Sequence, residues 1–137
     1  MRNKFVEFKI KLDWSEMDLF GHINNVAYFK YIQAARVNHL ELAGINTSDA
    51  ENKLSFAVAA SSCQFKKPLY FPGNIVVKTK TDWIKNTSLQ LTHIILNEKD
   101  EIAAEAIDVI VLFDYATQSK VNISAEVKEK LIMTKSV

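Results

Sequence analysis

Hydrophobic and polar residues repeat with two different periods along the chain. Apolar and charged side chains mostly alternate over residues 5–12, which predicts a first β-strand. Apolar residues then recur every three or four positions from Asn25 to Leu42, which predicts a long helix that is apolar around much of its circumference and therefore wrapped by other structure. Asn24 is the expected N-cap of this helix, and Gly44 is expected just beyond its last turn. The apolar positions with this spacing are Tyr28, Tyr31, Ile32, Ala35 and Leu42.

The remaining chain alternates again and predicts four further strands and a short terminal helix. Pro68 and Pro72 bracket a break between the second and third strands. Because short connections join most of the consecutive strands, the sheet should be antiparallel. One five-stranded antiparallel sheet wrapped around one long central helix, which is an α+β fold, accommodates every predicted element. The later strands are predicted at residues 54–65, 75–83, 88–96 and 102–113, and the terminal helix at residues 125–133.

Composition and charge narrow the class of protein. The chain has 137 residues, of which 48% are hydrophobic, so we expect one domain over residues 1–137. Its net charge is only +1, and it therefore lacks the basic excess of a nucleic-acid-binding protein. No apolar run reaches the roughly 18 residues of a membrane span. The first residues include no long apolar block, so we expect no secretory signal. Cys63 is the only cysteine, which excludes an internal disulfide and fits a cytoplasmic protein.

Common catalytic and cofactor-binding motifs are absent from the sequence. It contains no glycine-rich nucleotide-binding loop, no serine nucleophile elbow and no Cys-x-x-Cys pair. The three histidines, His22, His39 and His93, do not have the spacing of metal ligands. We therefore expect neither a metal site nor a bound cofactor.

The loop before the long helix carries the candidate chemistry. Between Asp13 and Asn25 it combines carboxylates, a glycine, a histidine and two asparagines. The N-terminus of a helix offers unpaired N–H groups and a partial positive charge, so a carbonyl oxygen placed there is stabilised as it gains negative charge. A carboxylate at Asp18 can then attack the carbonyl carbon as a nucleophile or deprotonate a water molecule.

The same loop and helix start resemble the signature of hotdog-fold thioesterases, and most closely the 4-hydroxybenzoyl-CoA thioesterase-like acyl-CoA thioesterases. The similarity extends over nearly the whole chain. This resemblance implies a hotdog fold and hydrolysis of a coenzyme A thioester, in which coenzyme A is part of the substrate and not a cofactor. The similar segments are residues 14–31, 34–36, 65–69, 73–75, 83–88 and 109–114.

The resemblance also implies roles for individual residues. It places the catalytic carboxylate at Asp18 and the amide that polarises the thioester carbonyl near Asn25, with Asn24 beside it. His22 is a further candidate for the catalytic group. Many members of the family have Asp-x-Asp where this chain has Glu16-Met17-Asp18. Because the second acid is the catalytic one in that family, we expect this departure to matter little, with Glu16 structuring the loop.

Substrate contacts and partners are expected on the same basis. Tyr28 is a candidate for the acyl site, and Lys85 and Ser88 are candidates by position for binding coenzyme A. An acyl carrier protein is an alternative carrier of the acyl group. Hotdog thioesterases form their active site between subunits, and a free sheet edge favours pairing with another chain, so we expect a homodimer or homotetramer.

Two other functions stay open from the sequence. Hotdog dehydratases and hydratases typically have an Asp and a His five residues apart with Asn-Pro between them. Here Asp18 and His22 are four apart, with Leu-Phe-Gly between them. A non-catalytic acyl-CoA-binding module is the second alternative, and the presence of Asp18 counts against it. Release of a free thiol from acyl-CoA distinguishes hydrolysis from binding alone.

Overall fold

The helices and the five long strands agree with the predicted bounds to within one residue at each end. The structure, a computed structural model, describes residues 5–133. In this range no helix is long and apolar enough to cross a membrane. The helices are α1 (Asn25–Leu42) and α2 (Ala125–Met133), and the strands are β1 (Val6–Lys11), β2 (Leu54–Phe65), β3 (Asn74–Ile84), β4 (Ser88–Leu96), β5 (Ile102–Asp114) and β6 (Ser119–Lys120).

All strand pairs in the sheet are antiparallel. The strand order is β1-β3-β4-β5-β2, and β6 pairs with the end of β5. The prediction of five strands is therefore one strand short. Two residues are too few to show an alternating pattern, and β6 forms because a turn with a positive φ of 56° at Gln118 brings the chain back onto β5.

Helix α1 lies across one face of the sheet and divides its core into two clusters. Around the first half of α1, Tyr28 and Ile32 pack with inward residues of β3 to β5. Around its second half, Leu40 packs with residues of β4 and β5 and with Leu131 of α2. A buried polar layer separates the clusters along β5, where Asp108 lies between Ala106 and Ile110 and accepts from Arg36 (2.9 Å) and His93 (2.7 Å).

One flank of α1 is left uncovered by the described residues, although the apolar pattern predicts that other structure wraps the helix. Val26 is 72% exposed and Phe29 is 40% exposed. Strand β2, which is nearest to this flank through Phe65, pairs only with β5 among the described strands and forms an edge of the sheet. The start of α1 and the end of β2 therefore meet at an open surface, where the loop before α1 is also located.

Candidate functional site

The loop between the first turn at Trp14–Glu16 and helix α1 is held in a defined shape by Asp18. Its Oδ1 atom accepts hydrogen bonds from the backbone N–H groups of Phe20 (2.8 Å) and His22 (3.0 Å). Its own N–H donates to the His22 carbonyl at 2.6 Å. Gly21 has a φ of +83°, which a glycine adopts without strain, and its N–H donates to the Asp18 carbonyl. The sequence Asp-x-x-Gly-His therefore specifies this turn locally.

The two oxygens of the Asp18 carboxylate differ in their contacts. Oδ1 is fixed by two amides, whereas Oδ2 receives no hydrogen bond from the residues that the structure describes. The nearest ring nitrogen is Nδ1 of His22, which lies 3.9 Å from Oδ2, and this distance is too long for a hydrogen bond. Both side chains are partly exposed. Oδ2 is therefore an ionisable oxygen that a bound molecule can reach.

The start of α1 provides an unpaired donor beside this carboxylate. Asn24 is the N-cap, as predicted, and its Oδ1 accepts from the N–H of Ala27 at 3.1 Å. The N–H of Asn25, at the first helical position, has no acceptor within residues 5–133. Such an amide carries the partial positive charge of the helix terminus and favours an oxygen that gains negative charge.

An open groove of about 420 Å³ brings these groups together. The candidate residues that line it are Asp18, His22, Asn24, Asn25 and Tyr28. The remaining lining residues, which sequence reasoning did not place here, are Ile23, Phe65, Lys66, Lys67 and Pro68. These come mostly from the end of β2 and the segment after it, so the groove lies where the open flank of α1 meets the sheet edge.

Tyr28 forms an aromatic wall of the groove, and its hydroxyl is fully engaged. The hydroxyl accepts from the N–H of Leu69 (3.1 Å) and donates to the carbonyl of Lys67 (3.2 Å). Its ring meets the Phe65 ring edge-on at 5.0 Å. Burial raises the pKa of the Tyr28 hydroxyl, so it stays neutral at physiological pH. Tyr28 is only 3% exposed, and its hydroxyl fixes the segment that carries the groove lysines.

Two lysines bring positive charge to the groove. Lys67 forms an ion pair with Glu101 at 3.0 Å, whereas Lys66 has no ion-pair partner among the residues described. Strand-end lysines are usually solvated, and only the fold reveals that Lys66 follows β2 directly into the groove. Residues 5–133 contain no group of three His, Cys, Asp or Glu side chains that is close enough to hold a metal ion.

Lys85 and Ser88 lie far from the groove within one chain. Ser88 pairs with Val111 and Phe65 pairs with Ala104, so the two positions are seven residues apart along β5. At about 3.3 Å per residue this is about 23 Å. The Lys85 ammonium instead lies over the Trp83 ring, 4.6 Å from its centroid. The fold therefore does not bring these two candidates together with Asp18 in the same chain.

Comparisons with known proteins agree on one family. The family model of the thioesterase-like superfamily matches residues 12–131. The long-chain acyl-CoA thioesterase FadM of Escherichia coli is 22% identical over 127 residues, covering 92% of this chain and 96% of FadM.

Solved structures show the same fold, which confirms the expected hotdog architecture. The PA5185 protein of Pseudomonas aeruginosa aligns with a TM-score of 0.82 and 24% identity, covering 94% of each chain. A DHNA-CoA thioesterase from Staphylococcus aureus aligns with a TM-score of 0.78 and 21% identity, covering 86% of this chain and 80% of that chain.

Proposed function

Because the chain belongs to the thioesterase-like superfamily and is a thioester hydrolase, we propose that it hydrolyses acyl-coenzyme A thioesters in the groove at the start of α1. One observation carries this proposal. Asp18, whose Oδ2 atom accepts no hydrogen bond from the described residues, and Asn25, whose N–H is unpaired, line the same groove. FadM, which acts on long-chain acyl-CoA by its name, supports coenzyme A as the leaving group.

The proposed chemistry begins with the thioester carbonyl oxygen accepting the Asn25 N–H. The carbonyl carbon then becomes more electrophilic, and the helix terminus stabilises the charge that develops on its oxygen. In one route, Oδ2 of Asp18 attacks the carbon, the C–S bond breaks and coenzyme A leaves as a thiolate. Water then hydrolyses the mixed anhydride and regenerates the carboxylate. In the other route, Asp18 takes a proton from water as the hydroxide attacks the carbon, the C–S bond then breaks, and the proton passes from Asp18 to the coenzyme A thiolate. Both routes consume one water and release acid and thiol.

His22 and Asn24 support this chemistry by holding the Asp18 carboxylate and the Asn25 amide in place. The N–H of His22 fixes Oδ1 of Asp18, and its ring lies near Oδ2 and meets the Tyr70 ring edge-on at 4.8 Å. Asn24 caps α1 and so defines where the helix begins and where the Asn25 amide points. Neither residue needs a metal or a cofactor for these roles, so activity should survive exhaustive dialysis against a chelator.

The coenzyme A part of the substrate is proposed to meet cations from two chains. Lys66 is the groove lysine without an ion-pair partner among the described residues. Pairing of two β2 edges in an antiparallel manner would place the start of the partner's β2 beside Phe65. The partner's Lys85 and Ser88 are near that start, because Ser88 and Ala57 both pair with Val111. The open edge of β2 supports such a homodimer, which can assemble further into a tetramer.

A thiol-release assay on a panel of alkyl and aryl acyl-CoAs tests the proposed reaction. We expect release of free coenzyme A from at least one acyl-CoA, together with an equal amount of free acid. A parallel arm with acyl carrier protein substrates identifies the preferred carrier. Binding of acyl-CoA without thiol release from either carrier would contradict hydrolysis and favour the non-catalytic binding module.

Single substitutions and light scattering test the proposed coenzyme A contacts. Lys66→Ala and Lys85→Ala should each raise KM about three- to tenfold with little change in kcat, because the phosphates lie away from the reacting carbonyl. Light scattering at assay concentration should show a mass of at least twice the 15.6 kDa of one chain. A fully active monomer, or an unchanged KM in Lys85→Ala, would overturn the two-chain site.

A further inference from the structure

Glu16 is a nearly buried carboxylate two residues before Asp18. The residue is 9% exposed, and both of its carboxylate oxygens are bonded. Oε1 accepts the hydroxyl of Tyr31 at 2.6 Å, and Oε2 accepts the ammonium of Lys30 at 2.9 Å. Both partners are on the second turn of α1, fourteen and fifteen residues further along the chain. Glu16 therefore connects the loop before α1 to the body of the helix.

The backbone of Glu16 makes a second connection to the same helix. Its carbonyl accepts the N–H of Asn24, the N-cap, at 2.8 Å. Asp13 and Glu16 also form a reciprocal capping box that fixes the turn at Trp14–Glu16. The end of the turn is thus attached to α1 at the cap through its main chain and at the second turn through its side chain.

The charge state of Glu16 fits an anchor and not a reactive group. Burial alone would raise its pKa, but the hydrogen bonds from Tyr31 and Lys30 hold the net pKa below the ordinary value. The carboxylate is therefore ionised at neutral pH, with its oxygens occupied by donors. Asp18 differs, because its Oδ2 has no donor among the described residues and opens onto the groove.

We propose that Glu16 is a positioning residue, whose contacts with Tyr31 and Lys30 hold Asp18 in line with the Asn25 amide. This inference rests on the proposed function. The loop from Met17 to His22 is fixed at one end by Glu16 and at the other by the hydrogen bond from the Ile23 N–H to the Leu69 carbonyl (2.7 Å). Releasing the first end lets Asp18 shift relative to α1, and a displacement of about 1 Å costs a reacting pair up to about 100-fold in rate.

Glu16→Gln and Tyr31→Phe test the positioning role, because the first leaves a single oxygen to accept from both Tyr31 and Lys30 and the second removes the hydroxyl that donates to Oε1. We expect kcat to fall about 10- to 100-fold in each variant, while KM changes less than about threefold. The double variant should lose less activity than the product of the two single losses, because both substitutions weaken the same contact between Glu16 and Tyr31. Lys78→Met is the matched control, because Lys78 pairs with Glu7 at 3.7 Å on the β1–β3 surface away from the groove and its loss should leave kcat unchanged.

Amide hydrogen exchange of residues 17–23 gives a readout that does not depend on activity. Exchange in this loop should become faster in Glu16→Gln and Tyr31→Phe but not in Lys78→Met. The positioning role is overturned if both variants keep the exchange rates and the kcat of the parent protein. It is also overturned if the substitutions raise KM and leave kcat unchanged. If Glu16→Gln does not fold, Tyr31→Phe carries the same test, because it keeps both the carboxylate and the ring.

The remaining outcomes separate this inference from the proposed function. Loss of all activity in Glu16→Gln while Asp18→Asn stays active would make Glu16 the reactive carboxylate and overturn both. If the parent protein releases no thiol from any substrate, the proposed function fails, and the exchange data alone then decide whether Glu16 holds the loop.

Discussion

The two ends of helix α1 differ in whether the chain pairs their backbone groups. At the C-terminal end, Gly44 has a φ of +86°, and the N–H groups of Gly44 and Ile45 donate to the carbonyls of Glu41 and Leu40 at 3.0 Å each. This is a Schellman motif, which satisfies the last carbonyls of the helix. At the N-terminal end, the Asn25 N–H has no acceptor among the described residues. The described chain therefore completes the C-terminal end of the helix and leaves a backbone donor unpaired at its N-terminal end.

The two ends of α1 also differ in how deeply the apolar side chains around them are buried. Leu40 is fully buried in the cluster that α2 helps to close. In the loop before α1, Leu19 is 90% exposed and Phe20 is 77% exposed. The fold therefore buries side chains at the C-terminal end of α1 and leaves the proposed site open at its N-terminal end. Substitutions at the two ends should therefore affect different measurements.

Asp18→Asn should give the largest effect, and only on activity. The amide oxygen of Asn still accepts from Phe20 and His22, so the loop and the melting temperature should be preserved. Loss of the nucleophile or base should lower kcat about 10²- to 10⁴-fold. Steady-state kinetics with a thermal melt measures both. Asp114→Asn is the control, because Asp114 makes the same kind of turn at Ala116 but lies outside the groove, and an equal loss there would contradict the assignment.

Leu40→Ala should give the converse result at the other end of the helix. Removing a fully buried leucine side chain should lower the free energy of unfolding by about 2–5 kcal/mol, with kcat per folded molecule nearly unchanged. Urea denaturation measures the loss. Leu42→Ala, at a 40% exposed position in the same turn, should cost about 1 kcal/mol or less. If the two variants were equally stable, the closed cluster would not be where stability is concentrated.

His39 should make the C-terminal half of α1 sensitive to acid. Its Nε2 bonds Thr81 at 2.9 Å, its Nδ1 has no partner among the described residues, and burial lowers its pKa to about 4 from 6.5. The unfolded chain therefore binds a proton more readily between these values, so stability falls as the pH decreases from about 6.5 toward 4. We expect a loss of about 2 kcal/mol between pH 7 and pH 5.

Urea denaturation at both pH values measures this loss. His39→Gln keeps a side chain that can bond Thr81 but removes the titrating ring. Its unfolding free energy should therefore depend less on pH than that of the parent protein. A pH dependence that is identical in the two proteins would assign the acid sensitivity to other groups.

Two glycines give the smallest and most symmetrical test, one at each end of α1. Gly44 and Gly21 both have positive φ. A Cβ added at Gly44 would come no closer than 3.5 Å to another atom, the Lys130 ammonium nitrogen, and a Cβ added at Gly21 would have no atom within 4 Å. Replacement by alanine should therefore cost about 1 kcal/mol of stability at either site. Gly21→Ala should also lower kcat, since Gly21 shapes the Asp18 turn, whereas Gly44→Ala should not. Equal kcat values in both variants would contradict the division between the ends.

Much of the fold was predictable because its elements are long and periodic. The bounds of α1, β2 and β4 follow from spacing and from local signals such as Asn24 and Gly44. The strand β6 has no such signal, and neither does the open flank at Val26, because coverage of a helix depends on what lies beside it in space.

The site was predictable only where its residues are close in sequence. Asp18, His22 and Asn25 belong to one loop and its helix start, and the groove contains all three. Lys66 enters from a strand end 41 residues after Asn25, and Glu16 meets Tyr31 only after α1 folds back on the loop. Contacts of this kind depend on tertiary packing, which the spacing of residues along the chain does not specify.

The mass of the released acid in ¹⁸O-labelled water tests hydrolysis at the open end of α1 most directly. With the best acyl-CoA of the panel and many turnovers, we predict one ¹⁸O atom in each acid molecule and one free thiol for each acid. Asp18→Asn should form almost none of this labelled acid in the same time. Thiol release without labelled acid would show that the acyl group passes to another acceptor, and the parental yield of labelled acid from Asp18→Asn would show that the reaction does not depend on this carboxylate.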